Sequence, residues 1–319
     1  INGCAGVSGP IVEIVNRLDA EVDLVISGHT HQAYNCLIHN KAGQPVRVTS
    51  AGQYARSLTD IDMVIDTKSR NVLSVAANNL VTGTGAATPE DPALTDLVAH
   101  YDALAAEPKA RVIGTITAAI SRTQNPAGES ALGDVIADAQ LDATDDVGFG
   151  EAVVAFMNPG GIRADLPYNL AGAGFPHDGA VTFGDAFTVQ PFGNALVTMT
   201  LAGAQIKTLL ETQFAGCNGQ TVQRILQVSD GFNYAYTAGN ACDARVTAMS
   251  INGVPVDPST AYRVTVNSFL ADGGDGFVAL KQGTDRLGGA VDLDAFEAYL
   301  KANPAGVAPG PGNRITRND

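Results

Sequence analysis

The stretch from Asn267 to Phe277 places an aromatic ring and a carboxylate on a chain that glycines allow to fold sharply. It reads Asn-Ser-Phe-Leu-Ala-Asp-Gly-Gly-Asp-Gly-Phe and follows an alternating apolar run, 262–266, that predicts a β-strand. Glycine accepts positive φ and lets a ligand approach the backbone closely. The stretch therefore suits a site for a flat ring and a hydroxylated group. The alternative is a tight Gly-Asp-Gly turn with Phe269 in the core.

A second segment, Asn158-Pro159-Gly160-Gly161-Ile162-Arg163, follows a predicted strand that is almost entirely apolar. Its glycines expose backbone N–H groups, and the arginine adds a planar cation. Both features suit the oxygens of a phosphate or a ribose. The alternative is a turn at the end of a strand with a solvated arginine.

A third segment, Gln190-Pro191-Phe192-Gly193-Asn194, holds an aromatic ring on a turn bounded by proline and glycine. An exposed ring at this position could stack on a nucleobase, a contact that stabilises binding by about 1–3 kcal/mol per base. The alternative is a phenylalanine that points into the core.

The segment Gly28-His29-Thr30-His31 lies at the carboxyl end of a predicted strand, 22–26. Two imidazoles two residues apart, on a loop that its glycine lets bend, can reach two neighbouring metal ions. The other three histidines have no such context, and we expect them to be surface or hydrogen-bonded residues.

Helices and strands that position these segments are visible in the hydrophobic pattern. Predicted helices begin at Pro10, Pro92, Ser130, Ala204 and Leu293. Predicted strands cover 22–26, 46–49, 61–65, 72–76, 112–120, 153–157, 196–201 and 262–266. The small, polar stretch 82–89 indicates the exit from a first domain, and the helix from Pro92 to about Ala106 is the expected connector.

The composition restricts the class of ligand. The chain has 319 residues, of which 45% are hydrophobic and 16% charged, which is typical of a globular protein. Lys and Arg number 19 against 33 Asp and Glu, a formal net charge of −14, so we expect no nucleic-acid polymer and no anionic membrane surface as partner. A small anionic ligand would need local arginines. No apolar run is long enough to span a bilayer.

Four cysteines are present and none forms a CxxC pair, which disfavours a zinc knuckle. An even number of cysteines in Gly- and Asn-rich surroundings suits two disulfides in an exported protein, located outside the cell, at its surface or in a periplasm. Sequence cannot fix the connectivity. The local pairs Cys4–Cys36 and Cys217–Cys242 are our prediction because each closes a short loop, and four buried free thiols are the alternative.

Taken together, the four segments occur in the order found in the 5′-nucleotidase family, and the chain resembles that family along essentially its whole length. The family also contains UDP-sugar hydrolases and 2′,3′-cyclic nucleotide phosphodiesterases. The resemblance implies an α+β fold in which the end of a metallophosphoesterase β-sandwich domain precedes a mixed-sheet substrate-binding domain. It implies domain limits of 1–88, a connector helix at 89–108, and 109–319.

The resemblance also implies a role for each matching residue. Phe192 and Phe269 correspond to two rings that sandwich the nucleobase, and Asp275 to the carboxylate that accepts hydrogen bonds from the ribose hydroxyls. The remaining matches are Asn158 and Asn194 near the base, Arg163 at ribose and phosphate, Arg122 as a second phosphate-side arginine, and His29 and His31 as the last metal ligands.

The sequence departs from the family at the metal site. A two-metal site there needs an Asp-x-His, a bridging Asp, a Gly-Asn-His-Asp/Glu segment and another His, and none of these is present. The resemblance therefore implies the C-terminal portion of a longer protein, with no catalytic residue in this chain. Two divalent ions such as Zn or Mn would belong to the parent, and whether this chain holds a metal alone is left open.

Three functions follow as hypotheses. The first is hydrolysis of nucleoside 5′-monophosphates by the parent, with UDP-sugars or 2′,3′-cyclic nucleotides as alternative substrates, while this chain recognises the nucleoside. The second is a catalytically silent module that binds nucleotides or nucleosides. The third is an adhesion or structural domain with decayed sites. Base preference and oligomeric state stay open.

The expected role of Asp275 gives a pH prediction. Affinity for adenosine should fall as the pH is lowered from 7 toward about 4, where carboxylates become protonated and lose acceptor strength. Calorimetric titration across this range measures the change, with an Asp275→Asn variant as the control that should not respond. An affinity of the unmodified chain that stays constant across the range would contradict the role.

Overall fold

The computed structural model describes residues 1–83 and 89–319, which divide into two compact units, 1–98 and 99–319. Most of the predicted exit segment, 82–89, lies outside the described residues. The predicted limits of the domains remain a prediction, while the boundary of the two units falls between Val98 and Ala99. No helix of the described residues is both long and apolar enough to cross a membrane.

Within residues 1–83, the first unit contains one helix and two small sheets. Its elements are α1 (Pro10–Arg17), β1 (Leu24–Ile26), β2 (Ala33–His39), β3 (Pro45–Ala51), β4 (Ser57–Ile65) and β5 (Val72–Val81). Helix α1 begins at a proline, whose fixed φ suits the first turn. Strand β3 pairs with β1 in parallel and with β2 antiparallel, whereas β4 and β5 form an antiparallel pair. A small core buries Val15, Cys36, Ile38, Val46 and Val48.

The helix predicted from Pro92 is present as α2 (Pro92–Ala110), which is four residues longer than expected at its end, and its role as connector remains a prediction. The carboxylate of Asp91 caps its start by accepting the N–H of Ala93 at 2.8 Å.

The second unit is organised around a five-stranded sheet. Its elements are β6 (Val112–Thr115), α3 (Ala131–Asp142), β7 (Val154–Met157), β8 (Ala180–Thr182), α4 (Phe183–Val189), β9 (Ala195–Ala202), α5 (Gly203–Glu211), β10 (Gln227–Val228), β11 (Phe232–Tyr236), β12 (Val246–Ile251), β13 (Val254–Pro255), β14 (Ala261–Asn267), α6 (Ser268–Ala271), β15 (Thr284–Val291), α7 (Asp292–Ala302) and β16 (Ile315–Arg317). The central sheet has the order β10-β7-β14-β9-β15, and a second sheet has the order β13-β12-β11-β16.

Two hydrophobic clusters stabilise this unit. One contains residues of both sheets and of α5, including the fully buried rings of Phe156, Phe214 and Phe232. The other contains residues of α3, α4 and α7 together with Met157 of the central sheet. The mixture of helices with parallel and antiparallel strands confirms the predicted α+β class.

Both predicted disulfides are confirmed. Cys4 is bonded to Cys36 in the first unit, with 5.1 Å between their Cα atoms, and Cys217 to Cys242 in the second, with 5.5 Å. The alternative of four free thiols is therefore wrong.

A buried pair of carboxyl groups, Glu129 and Asp134, fixes the C-terminal segment to α3. The Asp134 carboxylate accepts the N–H of Gly312 at 3.0 Å, and Glu129 accepts those of Arg314 and Ile315 at 2.9 and 3.1 Å. Burial first, and then the neighbouring charge of Glu129, raises the pKa of Asp134 to about 7.

This raised pKa predicts a pH-dependent stability. Between about pH 4, where an unfolded Asp titrates, and pH 7 the folded state binds more protons than the unfolded state, so stability falls as the pH rises. We expect the free energy of unfolding of the unmodified chain, measured with urea and compared with an Asp134→Asn variant, to fall by about 2–3 kcal/mol between pH 5 and 8. If the unmodified chain and the Asp134→Asn variant differed in free energy of unfolding by the same amount at pH 5 and at pH 8, the prediction would be contradicted.

Candidate functional site

Three neighbouring strands of the central sheet each have one terminus at the same edge of the sheet. Strand β14 lies between β7 and β9, with Val266 opposite Phe156 on the parallel side and Asn267 opposite Leu196 on the antiparallel side. The carboxyl ends of β7 and β14 therefore lie beside the start of β9. Asn158, Asn194 and Asn267 are next to these ends, so the sheet brings together three segments that are distant in sequence.

A chain of hydrogen bonds joins two of these asparagines to Asp275. The side-chain amide of Asn267 donates to Oδ1 of Asn158 at 3.0 Å, and the amide of Asn158 donates to Oδ2 of Asp275 at 2.9 Å. Both asparagines are buried. Asn267 also caps α6 by accepting the N–H of Leu270 at 2.9 Å. The carboxylate of Asp275 is thus held from the sheet.

Asp275 is also held through its other carboxylate oxygen and its backbone carbonyl. Its Oδ1 atom lies 3.4 Å from Nε of Arg224, and its backbone carbonyl accepts the side-chain amide of Gln220 at 2.5 Å. Its φ of 54° is in the left-handed region, which non-glycine residues adopt only when their surroundings hold them there. A carboxylate has about four lone-pair positions, so these contacts leave acceptor capacity for the hydroxyl groups of a ligand.

Two phenylalanines near these strand ends are exposed. Phe192 is 56% exposed and Phe269 46%, whereas Phe156, Phe214, Phe232, Phe277 and Phe296 are fully buried. The alternative in which either ring fills the core is therefore wrong. A Cβ on Gly274 would lie 2.6 Å from the Phe269 ring, so the absent side chain makes room for this ring.

Two arginines lie around the loop that follows β7. The guanidinium carbon of Arg163 is 5.7 Å from the centroid of the Phe192 ring, and its Nη1 donates to the carbonyl of Gly160 at 3.1 Å. Nη1 of Arg122 donates to the carbonyl of Ile162 at 3.1 Å. A cavity of about 310 Å³ is lined by Arg122, Thr123, Gln124, Ser130, Pro159 and Ile162. This part of the site presents positive charge within a strongly acidic chain.

The side chain of Asn194 is hydrogen-bonded to two other side chains of the protein. Its amide donates to Oδ2 of Asp292 at 3.2 Å, and its Oδ1 accepts the hydroxyl of Ser268 at 3.4 Å. Burial raises the pKa of Asp292, while the amide of Asn194 opposes that shift. Asn194 therefore fastens the Phe192 turn to the first residue of α7.

His29 and His31 follow β1, and both have left-handed backbones with φ of 68° and 60°. The ring of His31 packs edge-on against Tyr54, with 5.4 Å between centroids. Within residues 1–83 and 89–319, no group of three or more His, Cys, Asp or Glu side chains is arranged to hold a metal ion. The two histidines do not by themselves fit a dinuclear centre, so we assign no reaction step to a metal in this chain.

Three residues of the site were not expected from the sequence. Asn267 opens the glycine-rich motif, and its position directly after a predicted strand was a usable signal. Gln220 and Arg224 belong to no recognisable motif, and nothing in the sequence connects them with Asp275.

Comparisons with known proteins identify relatives of this chain. The family model described as 5′-nucleotidase, C-terminal domain, matches residues 112–282. A cell wall protein of Listeria monocytogenes, Lmo0130, is 30% identical over 94% of this chain and 38% of its own length. A 5′-nucleotidase-related protein of Glossina morsitans morsitans is 27% identical over 95% of this chain and 58% of its own.

Among solved structures, the 5′-nucleotidase precursor from Thermus thermophilus is similar to this chain, with a TM-score of 0.68 and 29% identity. The alignment covers 97% of this chain and 62% of that protein. The chain thus spans less than two thirds of each of these relatives. Because the family model covers more than half of the chain, and all the residues from Arg122 to Asp275 that form the site, this chain belongs to the 5′-nucleotidase C-terminal domain family.

Proposed function

We propose that the second unit binds the nucleoside part of a nucleotide, and that a longer protein containing this chain hydrolyses nucleoside 5′-monophosphates. The observation that supports this best is the exposure of Phe192 and Phe269 at strand ends that also hold the Asp275 carboxylate. Large exposed rings beside a fixed acceptor provide a flat apolar surface and an anchor for hydroxyl groups.

In this proposal the two rings stack on the base. Stacking is tolerant of base identity because every base has a π-face, and it contributes about 1–3 kcal/mol per base. Arg163, which lies near the Phe192 ring, would contact the ribose and phosphate oxygens from the same side.

Asp275 would accept hydrogen bonds from the ribose hydroxyls. Its carboxylate is already oriented by Asn158 and Arg224, so binding would cost little additional ordering of this side chain. Arg122 and Arg163 would then supply the local positive charge that an anionic nucleotide needs on a chain with a net charge of −14.

The hydrolytic half of the proposal concerns the longer protein. Relatives named as a 5′-nucleotidase precursor and a 5′-nucleotidase-related protein support it, although each extends well beyond the part that matches this chain. His29 and His31 would be two ligands of a metal site that other residues of the longer protein complete. A location outside the cell or at its surface is supported by the two disulfides and by the cell wall relative.

A non-catalytic nucleoside-binding module is the second candidate, because the metal-binding side chains in the described part of the chain do not form a cluster. The coding sequence upstream separates the two candidates. Asp-x-His and Gly-Asn-His-Asp/Glu motifs there would indicate an enzyme, whose substrate among nucleotides, UDP-sugars and 2′,3′-cyclic nucleotides is then measured directly.

Removing either ring should weaken nucleoside binding. We expect Phe192→Ala and Phe269→Ala each to raise the Kd for adenosine roughly tenfold or more, as measured by calorimetry. Phe187→Ala is the matched control, since Phe187 is 50% exposed but lies on α4 outside the site. Absence of adenosine binding by the unmodified chain, or equal affinity in all three variants, would refute the sandwich.

Crowding the Phe269 ring should have a similar effect. A Cβ at Gly274 would lie 2.6 Å from this ring and 2.5 Å from the carbonyl oxygen of Phe269, so Gly274→Ala must displace the ring. We expect adenosine affinity to fall about tenfold. Gly239→Ala is the control, because Gly239 lies between β11 and β12, outside the site, and a Cβ there would meet nothing within 4 Å. Equal affinities of the two variants would contradict this placement of the ring.

A further inference from the structure

We propose that Gln220 and Arg224 are positioning residues for the Asp275 carboxylate, and that the disulfide Cys217–Cys242 holds the loop from which they act. This inference rests on the proposed function, since it concerns how the ribose acceptor is oriented. It extends that function to a segment that contributes no residue to any of the four motifs.

The loop that begins at Gly216 is a tight, internally bonded turn. The N–H of Gly216 donates to the carbonyl of Gln220 at 2.8 Å, and the N–H of Gln220 donates to the carbonyl of Cys217 at 2.8 Å. Gln220 and Cys217 are both buried, at 5% and 1% exposure. The side chain of Gln220 is therefore directed by a turn that has little freedom to move.

Both ends of the Gln220 amide are used. Nε2 donates to the backbone carbonyl of Asp275 at 2.5 Å, and Oε1 accepts Nη1 of Arg224 at 2.6 Å. The same guanidinium places its Nε 3.4 Å from Oδ1 of Asp275. Gln220 and Arg224 thus hold the backbone and the carboxylate of one residue at the same time.

Asp275 requires this support because its backbone is strained. Its φ of 54° lies in the left-handed region, which is unfavourable for a non-glycine residue. Gly273 and Gly276, both with φ of 83°, surround it and offer no side-chain packing of their own. Contacts from outside the loop must therefore determine where the carboxylate points.

The disulfide connects this arrangement to the second sheet. Cys242 lies between β11 and β12, and the neighbouring Asp243 accepts the side-chain amide of Asn218 at 3.0 Å. Cys217 is three residues from Gln220. Opening the disulfide would leave the turn held mainly by hydrogen bonds. Gln220 would then be more mobile, and the Asp275 carboxylate that it helps to hold would be less firmly oriented.

Two ligands separate positioning from a general structural role. Adenosine has both ribose hydroxyls and 2′,3′-dideoxyadenosine has neither, so only adenosine can report the orientation of Asp275. We expect Gln220→Ala and Arg224→Ala each to raise the Kd for adenosine roughly tenfold, and the Kd for dideoxyadenosine less than about twofold. Calorimetry measures both values. Gln282→Ala, which removes an exposed glutamine of the same unit, should change neither affinity.

Each other outcome has a distinct meaning. Equal weakening of both ligands, or no weakening of adenosine, overturns the positioning role while the proposed function stands. An unmodified chain that binds neither ligand overturns the proposed function and this inference with it. Dideoxyadenosine binding that depends on Phe192 and Phe269 verifies the ring site independently.

The disulfide is tested with a matched pair. The double variant Cys217→Ser/Cys242→Ser should lose adenosine affinity about as strongly as Gln220→Ala, with little change for dideoxyadenosine, while Cys4→Ser/Cys36→Ser should leave both affinities unchanged. Circular dichroism verifies that each variant is folded. If the first variant does not fold, reduction of the folded Cys4→Ser/Cys36→Ser variant with a phosphine under native conditions opens Cys217–Cys242 alone and gives the same readout. Unchanged adenosine affinity after loss of Cys217–Cys242 overturns this part of the inference.

Discussion

The pairing of β14 with β7 on one side and β9 on the other is the constraint on which the site depends. It brings the segments after Met157, before Ala195 and after Val266 to one end of the central sheet, where β7 and the last residues of β14 are buried. A strand register that slipped by one residue would turn its side chains to the opposite face of the sheet. The hydrogen bonds from Asn267 to Asn158 and on to Asp275 depend on that register, which explains why polar groups can lie buried there.

Much of this arrangement could be predicted from the sequence because it is local. Apolar alternation and helix caps indicated most of the strands and helices near the site, and glycine-rich segments after strands indicated the loops. The preference for local cysteine pairs was correct for both disulfides, although sequence alone did not fix the connectivity. Strands β2, β8, β15 and β16 were among those missed. The pattern of β2 is interrupted by Asn35, whereas β15 contains a glycine pair and has exposed residues throughout.

The rest of the site depends on contacts between distant segments, which a single sequence does not reveal. Gln220 and Arg224 contact Asp275 across more than fifty residues, and neither has a local pattern that distinguishes it from a solvated side chain. Asn194 was expected near a base, yet its amide is bonded to Asp292 at the start of α7. Residue type and spacing indicated where this side chain lies, but its partner depends on how α7 packs.

The hydrogen bonds from residues 312–315 to Glu129 and Asp134 affect the order in which the chain folds. Strand β16 pairs with β11 in parallel, and the amides of Gly312, Arg314 and Ile315 satisfy carboxyl groups at and near the start of α3, almost two hundred residues earlier. These donors are therefore synthesised long after the carboxyl groups that accept from them. Until then α3 exposes two acidic groups without their native donors, and the second unit can complete its fold only after residues 312–315 have been synthesised.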